Sequence, residues 1–263
     1  MADTHFVTAV LVTHDGAIWL PEVIASIGSQ SRPIDRIVAV DTASVDTSQK
    51  LLKSAGITTF LEDREMGYGD AIEHALALTP AITSSEGNQS NEWIWLIHDD
   101  CAPDRDALKL LLEAVEDRPQ VAIAGPKLRD WYDRDRLLEV GLSIAGNGSR
   151  WTGLEANEQD QGQHDSITEV MSVSTAGSLI RRSVFEELGG LDINLALFRD
   201  DVDLGWRAHV AGYQVICVAK AVAFHAEASA SERRRVDVSE AFLHRPLLLD
   251  RRNAAYVLLV NSS

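Results

Sequence analysis

Trp93-Ile94-Trp95-Leu96-Ile97-His98-Asp99-Asp100 is the stretch that decides how this chain folds. Five consecutive apolar residues between turn-forming segments are too few for an ordinary helix and suit a strand buried on both faces. Strands of that kind belong to parallel sheets covered by helices, whose ligands gather beyond the carboxyl ends of the strands. There this strand delivers an imidazole and two carboxylates before Cys101-Ala102-Pro103 turns the chain. Such a donor set suits a divalent cation holding phosphate oxygens. The same aspartates could instead cap the following helix, although Asp104 offers itself for that role.

Working outward, the β-branched run at 7–13 predicts a first buried strand, and 35–41 a second that ends on Asp41. A short third strand is expected at 57–61. Between them, Leu20, Val23, Ile24 and Ile27 recur at helical spacing, and a helix through Leu51 and Leu52 closes at Gly56. Met66-Gly67-Tyr68-Gly69-Asp70 opens a further helix carrying Ile72, Ala75 and Leu76. Residues 84–91 read as a polar surface loop. From Asp104 an amphipathic helix presents Leu108, Leu111, Leu112 and Val115 on one face. Alternating strands and helices through residue 117 predict a parallel sheet with right-handed crossovers.

Beyond 117 the pattern changes. Strands are expected at 121–125, 137–144, 169–174, 213–218 and 221–225, with helices at 183–188 and 200–211. Residues 146–165 are polar, and a loop of that length inside a compact domain tends to be functional. No repeat or linker divides the 263 residues, so one domain is expected. The apolar stretch 254–260 reads either as a final buried helix or as the approach to further sequence.

A net charge of −16 argues against nucleic-acid binding, which needs a basic field along the phosphates. It also makes a metal ion useful, because an acidic protein that binds a diphosphate must offset charge locally. Two cysteines, Cys101 and Cys217, are too few for a disulfide framework and point to a reducing, cytoplasmic setting. Neither a secretory signal nor a long enough apolar run for a membrane span is read from the sequence. Against the acidic background, Arg233, Arg234, Arg235, Arg245, Arg251 and Arg252 form a basic cluster. It suits a solvated helix face, a diphosphate, or the anionic inner surface of a plasma membrane.

Acidic residues recur at strand ends: Asp41, Asp99, Asp100, and the pair Asp200-Asp201 before a helix. One such Asp is ordinarily a turn former, but several on one rim of a parallel sheet ask for a ligand. A hard-metal site at Asp100 would want a ligand from another element, and His225, closing a late strand, is a candidate.

Val10-Leu11-Val12-Thr13-His14, Val40-Asp41-Thr42-Ala43-Ser44-Val45-Asp46, Gly67-Tyr68-Gly69, His98-Asp99-Asp100, Thr175-Ala176-Gly177-Ser178, Asp200-Asp201-Val202-Asp203-Leu204 and His225 follow one another in that order. The set resembles the family-2, inverting glycosyltransferases of the GT-A fold over about residues 6–253. Its second half is most like the actinobacterial galactofuranosyl- and rhamnosyltransferases of cell-wall glycan synthesis. The resemblance implies a Rossmann-like, mostly parallel sheet flanked by helices, with a smaller mixed sheet on the acceptor side. Residues 1–117 would then be the nucleotide-binding half, 118–230 the metal and acceptor half, and 231–263 a C-terminal helical segment.

The same resemblance implies roles. Thr13, Asp41, Gly67, Gly69 and Asp70 would face the base and ribose of a nucleoside-diphosphate sugar, uridine- or thymidine-linked, and Arg252 its diphosphate. His98, Asp99 and Asp100 match the Asp-x-Asp element that holds Mn²⁺ or Mg²⁺ and the diphosphate, with His225 completing the metal shell. Asp201 would be the general base for a hydroxyl of a glycan or polyprenyl-linked acceptor, its pKa raised by Asp200 and Asp203. Gly177, Asp200 and Trp206 would lie on the acceptor side, with Trp206 also suited to plain packing. The sequence departs from the pattern twice: His98 stands where a first Asp is usual, and Asp250 where an aromatic or His often precedes Arg-Asn. A sugar-phosphate nucleotidyltransferase would need a Gly-rich basic loop after the first strand, where Thr13-His14-Asp15-Gly16 stands. A non-catalytic sugar-nucleotide-binding domain would have no use for Asp201.

Overall fold

The computed structural model describes residues 5–82, 91–231, 233–234 and 245–262. Arg235 and all of the expected 84–91 loop except Asn91 lie outside them. The first half alternates β1 (Phe6–Thr13), α1 (Leu20–Gly28), β2 (Arg36–Asp41), α2 (Ser48–Ser54), β3 (Thr58–Leu61), α3 (Tyr68–Leu78) and β4 (Glu92–His98). The order β3-β2-β1-β4 is parallel throughout. Register fixes the rim, with Thr13 opposite Asp41 and Val12 opposite His98. Three of the expected site residues therefore share one edge.

Trp93 through Ile97 are fully buried, and β4 divides them between two cores by strand alternation. Trp93, Trp95 and Ile97 pack with Leu20 and Val23 of α1, while Ile94 and Leu96 pack with Ile72 and Ala75 of α3. Each tryptophan brings of order 4–6 kcal/mol of transfer free energy as an upper bound. Both indole N–H groups are satisfied, Trp95 by the Gly177 carbonyl at 2.9 Å and Trp93 by His5 Nδ1 at 3.1 Å.

The second half is β5 (Cys101–Pro103), α4 (Ala107–Val115), β6 (Val121–Asp130), β7 (Leu137–Glu139), β8 (Ser143–Ile144), β9 (Arg150–Trp151), β10 (Ile167–Glu169), β11 (Leu179–Arg181), α5 (Arg182–Glu187), α6 (Asp200–Val210), β12 (Gln214–His225) and α7 (Pro246–Asn261). The mixed half continues the first sheet instead of forming a separate one, in the order β10-β12-β6-β11-β4. Only β8 and β9 form a second, two-stranded sheet among the described residues.

Several expectations are corrected here. The strand expected at 169–174 holds only Glu169, at the end of edge strand β10; between β4 and β6 the sheet takes β11 instead, antiparallel to both. The run 137–144 is broken into β7 and β8 at Gly141, whose φ of +81° no branched residue adopts comfortably. The two late strands are one, β12, with a register offset between Val218 and Val222. The helix expected from Asp104 begins at Ala107 after a turn. Part of the 146–165 loop is pinned, because Lys127, 2 % exposed, holds Asp160 at 2.8 Å and Asp165 at 2.7 Å. No described helix is long and apolar enough to cross a membrane.

Candidate active site

The carboxyl rim opens into a cavity of about 510 Å³. His98 ends β4, the Asp99-Asp100 turn follows, and β5 then pairs antiparallel with the end of β12, setting Cys101 opposite His225. That pairing carries His225 to Asp100 across 125 residues of chain. Ligand atoms of His98, Asp100 and His225 all lie within 4.8 Å of one another. Asp100 Oδ2 accepts from the Ala228 amide at 2.8 Å, whereas Oδ1, buried and 3.3 Å from His225 Nε2, has no directed hydrogen bond. A buried carboxylate oxygen with one imidazole nitrogen 3.3 Å away and a second imidazole beside it is an arrangement a cation can complete.

Burial would raise the Asp100 carboxyl, but His225 and Arg234 outweigh it and hold it below the usual carboxylate range. Burial and the neighbouring His225 push the His98 imidazole down to about 3, so it is a neutral donor at physiological pH. Its ring meets Tyr68 and His225 edge-on, at 4.7 and 5.5 Å between centroids, and Nε2 lies 3.1 Å from Thr175 Oγ1.

Asp99 lines the cavity, yet its carboxylate is already engaged. Oδ2 accepts from the Thr13 hydroxyl at 3.0 Å and the His14 amide at 2.8 Å, and Oδ1 from Arg234 at 2.5 Å. It clamps the loop after β1 to the turn after β4. Gly16 leaves room for that clamp, since a Cβ there would stand 2.2 Å from Asp99 Oδ2. Thr13 is spent on the same contact. Asp41 is fully buried; Oδ1 accepts from the Ser44 amide and Gln49, and Oδ2 is buried without a partner. Asp41 does not line the cavity, whereas its neighbour Thr42, with His14 and Arg64, does.

The opposite wall is the start of α6. Phe198 and Arg199 both take left-handed backbone, φ +66° and +69°, which side-chain-bearing residues adopt only when their surroundings enforce it. Here α7 enforces it. Arg199 grips Asp250 with two hydrogen bonds of 2.6 and 2.9 Å and the Gly148 carbonyl at 2.9 Å. Asn253 donates to the Leu197 and Phe198 carbonyls at 2.7 and 3.1 Å. Asp250 departs from the family pattern and has this turn as its task.

The turn delivers Asp200 and Asp201 to the cavity. Asp201 Oδ2 meets Arg150 at 2.5 Å, and the same guanidinium lies 3.6 Å from Glu139. Burial and the charge of Asp201 push Asp200 up to about 7. Burial pushes Glu139 up to about 7 as well, against the pull of Arg150. The elevation expected from clustered carboxylates thus falls on Asp200 and on Glu139, which the sequence reading missed. Asp203 faces elsewhere, paired with Arg207 at 2.6 Å and with Asn261. Arg150 was missed too, although it is the sole Lys or Arg within 146–165 and so carried a signal.

Other expected residues lie outside this wall. Gly67 and Gly69 make room for protein: added Cβ atoms would stand 3.1 Å from Ala196 Cα and 2.9 Å from Leu191 Cβ. From that helix start Met66 and Tyr68 line the cavity, and Asp70 does not. Gly177, at φ +90°, turns the chain under Trp95, while Ser174 and Thr175 reach the cavity. Arg252 lies outside the wall and donates to the Asn194 carbonyl at 3.0 Å. Trp206 packs with Leu142, Leu195 and Val257 and borders a neighbouring groove.

Comparison with known proteins adds independent findings. The family described as glycosyltransferase like family 2 matches residues 13–238. An N-acetylglucosaminyl-diphospho-decaprenol L-rhamnosyltransferase of Mycobacterium tuberculosis is 24% identical over 245 residues, covering 88% of this chain and 79% of that protein. The O-antigen chain rhamnosyltransferase RfbN of Salmonella typhimurium is 25% identical, covering 83% and 66%. Among solved structures, GalNAc-T7 with UDP, GalNAc and Mn²⁺ superposes at a TM-score of 0.69 and 12% identity, over 99% of this chain and 48% of that one. The Pyrobaculum calidifontis mannosyltransferase with GDP-Man and Mn²⁺ gives 0.59 and 19%, over 97% and 74%. The architecture is the GT-A fold.

Proposed function

Since the chain belongs to the glycosyltransferase like family 2, we propose that its cavity performs metal-assisted, inverting transfer of a sugar from a nucleoside diphosphate to an acceptor hydroxyl. One observation carries the reading: His98, Asp100 and His225 gather at one wall of the same cavity that Asp200 and Asp201 enter from the other. Donor chemistry and base chemistry then meet in one space.

The donor set fits a divalent ion, and its mix of two imidazoles with one carboxylate suits Mn²⁺ better than Mg²⁺, which prefers oxygen alone. When bound there, the ion would supply Lewis-acid offset for the charge of the leaving diphosphate. The protein's own part is the rest. Asp99 and Arg234 hold the floor of the site by clamping the β1 loop. Asp201, aimed by Arg150, takes the proton of the acceptor hydroxyl as it attacks. Asp200, pushed up to about 7, keeps a proton in much of the population near neutrality and donates a hydrogen bond to the acceptor.

The sugar is a hexose or deoxyhexose carried on uridine or thymidine diphosphate. Two relatives named as rhamnosyltransferases support a deoxyhexose, and the decaprenol-linked substrate in one name supports a glycan or polyprenyl-linked acceptor. Such an acceptor would bring the enzyme to the inner face of a membrane.

The test compares wild type with Asp201→Asn. Nucleotide-sugar binding with Mn²⁺, read as a thermal shift, is retained, while transfer falls by about 10²–10⁴-fold. Unchanged transfer would remove Asp201 from the mechanism. His225→Ala loses the Mn²⁺-dependent part of the shift, and an intact Mn²⁺ response would refute the metal site.

A further inference from the structure

The catalytic cavity leaves a second depression unexplained. Behind the β8–β9 hairpin runs a groove bordered by Trp151, Thr152, Glu169, Met171, Trp206 and His209. It adjoins the cavity at Thr152, which lines both. The hairpin is the partition. Neighbouring side chains on a strand point to opposite faces. In β9, Arg150 therefore turns in to Asp201, while Trp151 turns out into the groove and is 64 % exposed. Helix α6 divides its side chains likewise, with Asp201 in the cavity and Trp206 and His209 in the groove.

The groove has a particular chemistry. Trp206 is anchored against Leu142, Leu195 and Val257, so one of the two aromatic surfaces is fixed in place. His209 is fixed as well, its Nε2 2.9 Å from the Val170 carbonyl. Ser143, Thr152 and the exposed Glu169 carboxylate put polar groups beside those aromatics. A pyranose ring has a face of C–H groups and a rim of hydroxyls, and needs both an aromatic platform and hydrogen-bonding groups at its edge. A phosphate would face the Glu169 carboxylate, with no Lys or Arg among the described residues that line the groove.

We propose that this groove is a second carbohydrate subsite, which seats an acceptor sugar one or more units away from the hydroxyl that reacts at Asp201. The assignment of that sugar to the acceptor rests on the transfer reading above; the binding of a sugar at Trp151 does not. On this view the hairpin is read by two parts of one substrate, Arg150 setting the base and Trp151 the distant ring.

The test uses the full chain with its six tryptophans replaced by 5-fluorotryptophan and followed by ¹⁹F NMR. Trp151→Phe and Trp206→Phe assign the two resonances. The probes are rhamnosyl-N-acetylglucosamine, rhamnosylrhamnose and chitobiose, each against its component monosaccharides. At least one disaccharide shifts both resonances, and its Kd rises about tenfold in Trp151→Ala but no more than about threefold in Trp151→Phe. Trp151 is exposed, and the remaining fluorotryptophan resonances report that each variant is folded. Disaccharides that leave both resonances in place, or that bind Trp151→Ala as tightly as wild type, overturn the subsite. Transfer from uridine and thymidine diphosphate sugars is measured alongside. Disaccharide binding at Trp151 without transfer would refute the catalytic reading alone, and transfer with silent indoles would refute the subsite alone.

Discussion

Glu139→Gln tests whether the carboxyl cluster is as tightly enclosed as the structure shows. Glu139 is 6 % exposed, accepts from the Ser174 amide at 2.9 Å, and has been pushed by burial from 4.5 to about 7. An acid raised on folding binds more protons in the native state, so its contribution is complete below the unfolded value and is lost as pH climbs through the native one. For a native value near 7, linkage gives a loss of about 2.5 kcal/mol between pH 5 and pH 8 from this group alone. Glutamine keeps the amide acceptor and cannot titrate, so the variant escapes that loss. Urea unfolding of both proteins in EDTA, at half-unit steps across this range, reads the difference directly. Relative to the variant, wild type should lose about 5–10 °C in Tm over the same interval. A wild-type-minus-variant stability that stays flat from pH 5 to pH 8 would mean that Glu139 is solvated, and that the wall built by β7, Arg150 and Asp201 is open to water.

Two further outcomes follow from the same structure. Arg182, 4 % exposed, pairs with buried Glu92 at 2.9 Å and also donates to the Thr79 and Leu76 carbonyls at the end of α3. Arg182→Met leaves buried Glu92 without its ion-pair partner and costs about 3–5 kcal/mol in urea unfolding, whereas a loss under 1 kcal/mol would show that water reaches the pair. In a double-mutant cycle, Arg199→Met and Asp250→Asn couple by about 1.5–3 kcal/mol in stability, and each lowers kcat with little change in nucleotide-sugar affinity. Additive effects would show that the two side chains do not act as one clasp.

The parts of the fold legible in the sequence are those that local pattern dictates. Trp93 to Ile97 had to be buried, Asp41 and His98 had to end strands, and the parallel order of the first half followed from alternation. β11 escaped because Leu179-Ile180-Arg181 is only three residues long and gains its place from neighbours on both sides. The meeting of His225 with Asp100, expected as a shared metal shell, depends on the Cys101–His225 register, which no periodicity states. Gly67 and Gly69, expected to face base and ribose, pack against Ala196 and Leu191 instead, because a glycine announces close approach without naming what approaches. Glu139 looked like one more strand residue, and only Arg150 and Asp201 arriving beside it give it a chemical character.

The clasp of α7 on the turn before α6 has a consequence for synthesis. Asp200 and Asp201 leave the ribosome about fifty residues before Asp250 and Asn253, the side chains that force Phe198 and Arg199 into left-handed backbone. Until those partners emerge, the bend lacks its α7 clasp, and the nascent polypeptide carries its two carboxylates on an unset hinge. The turn is thus set only once residue 253 has emerged, after the first half of the sheet has had time to fold.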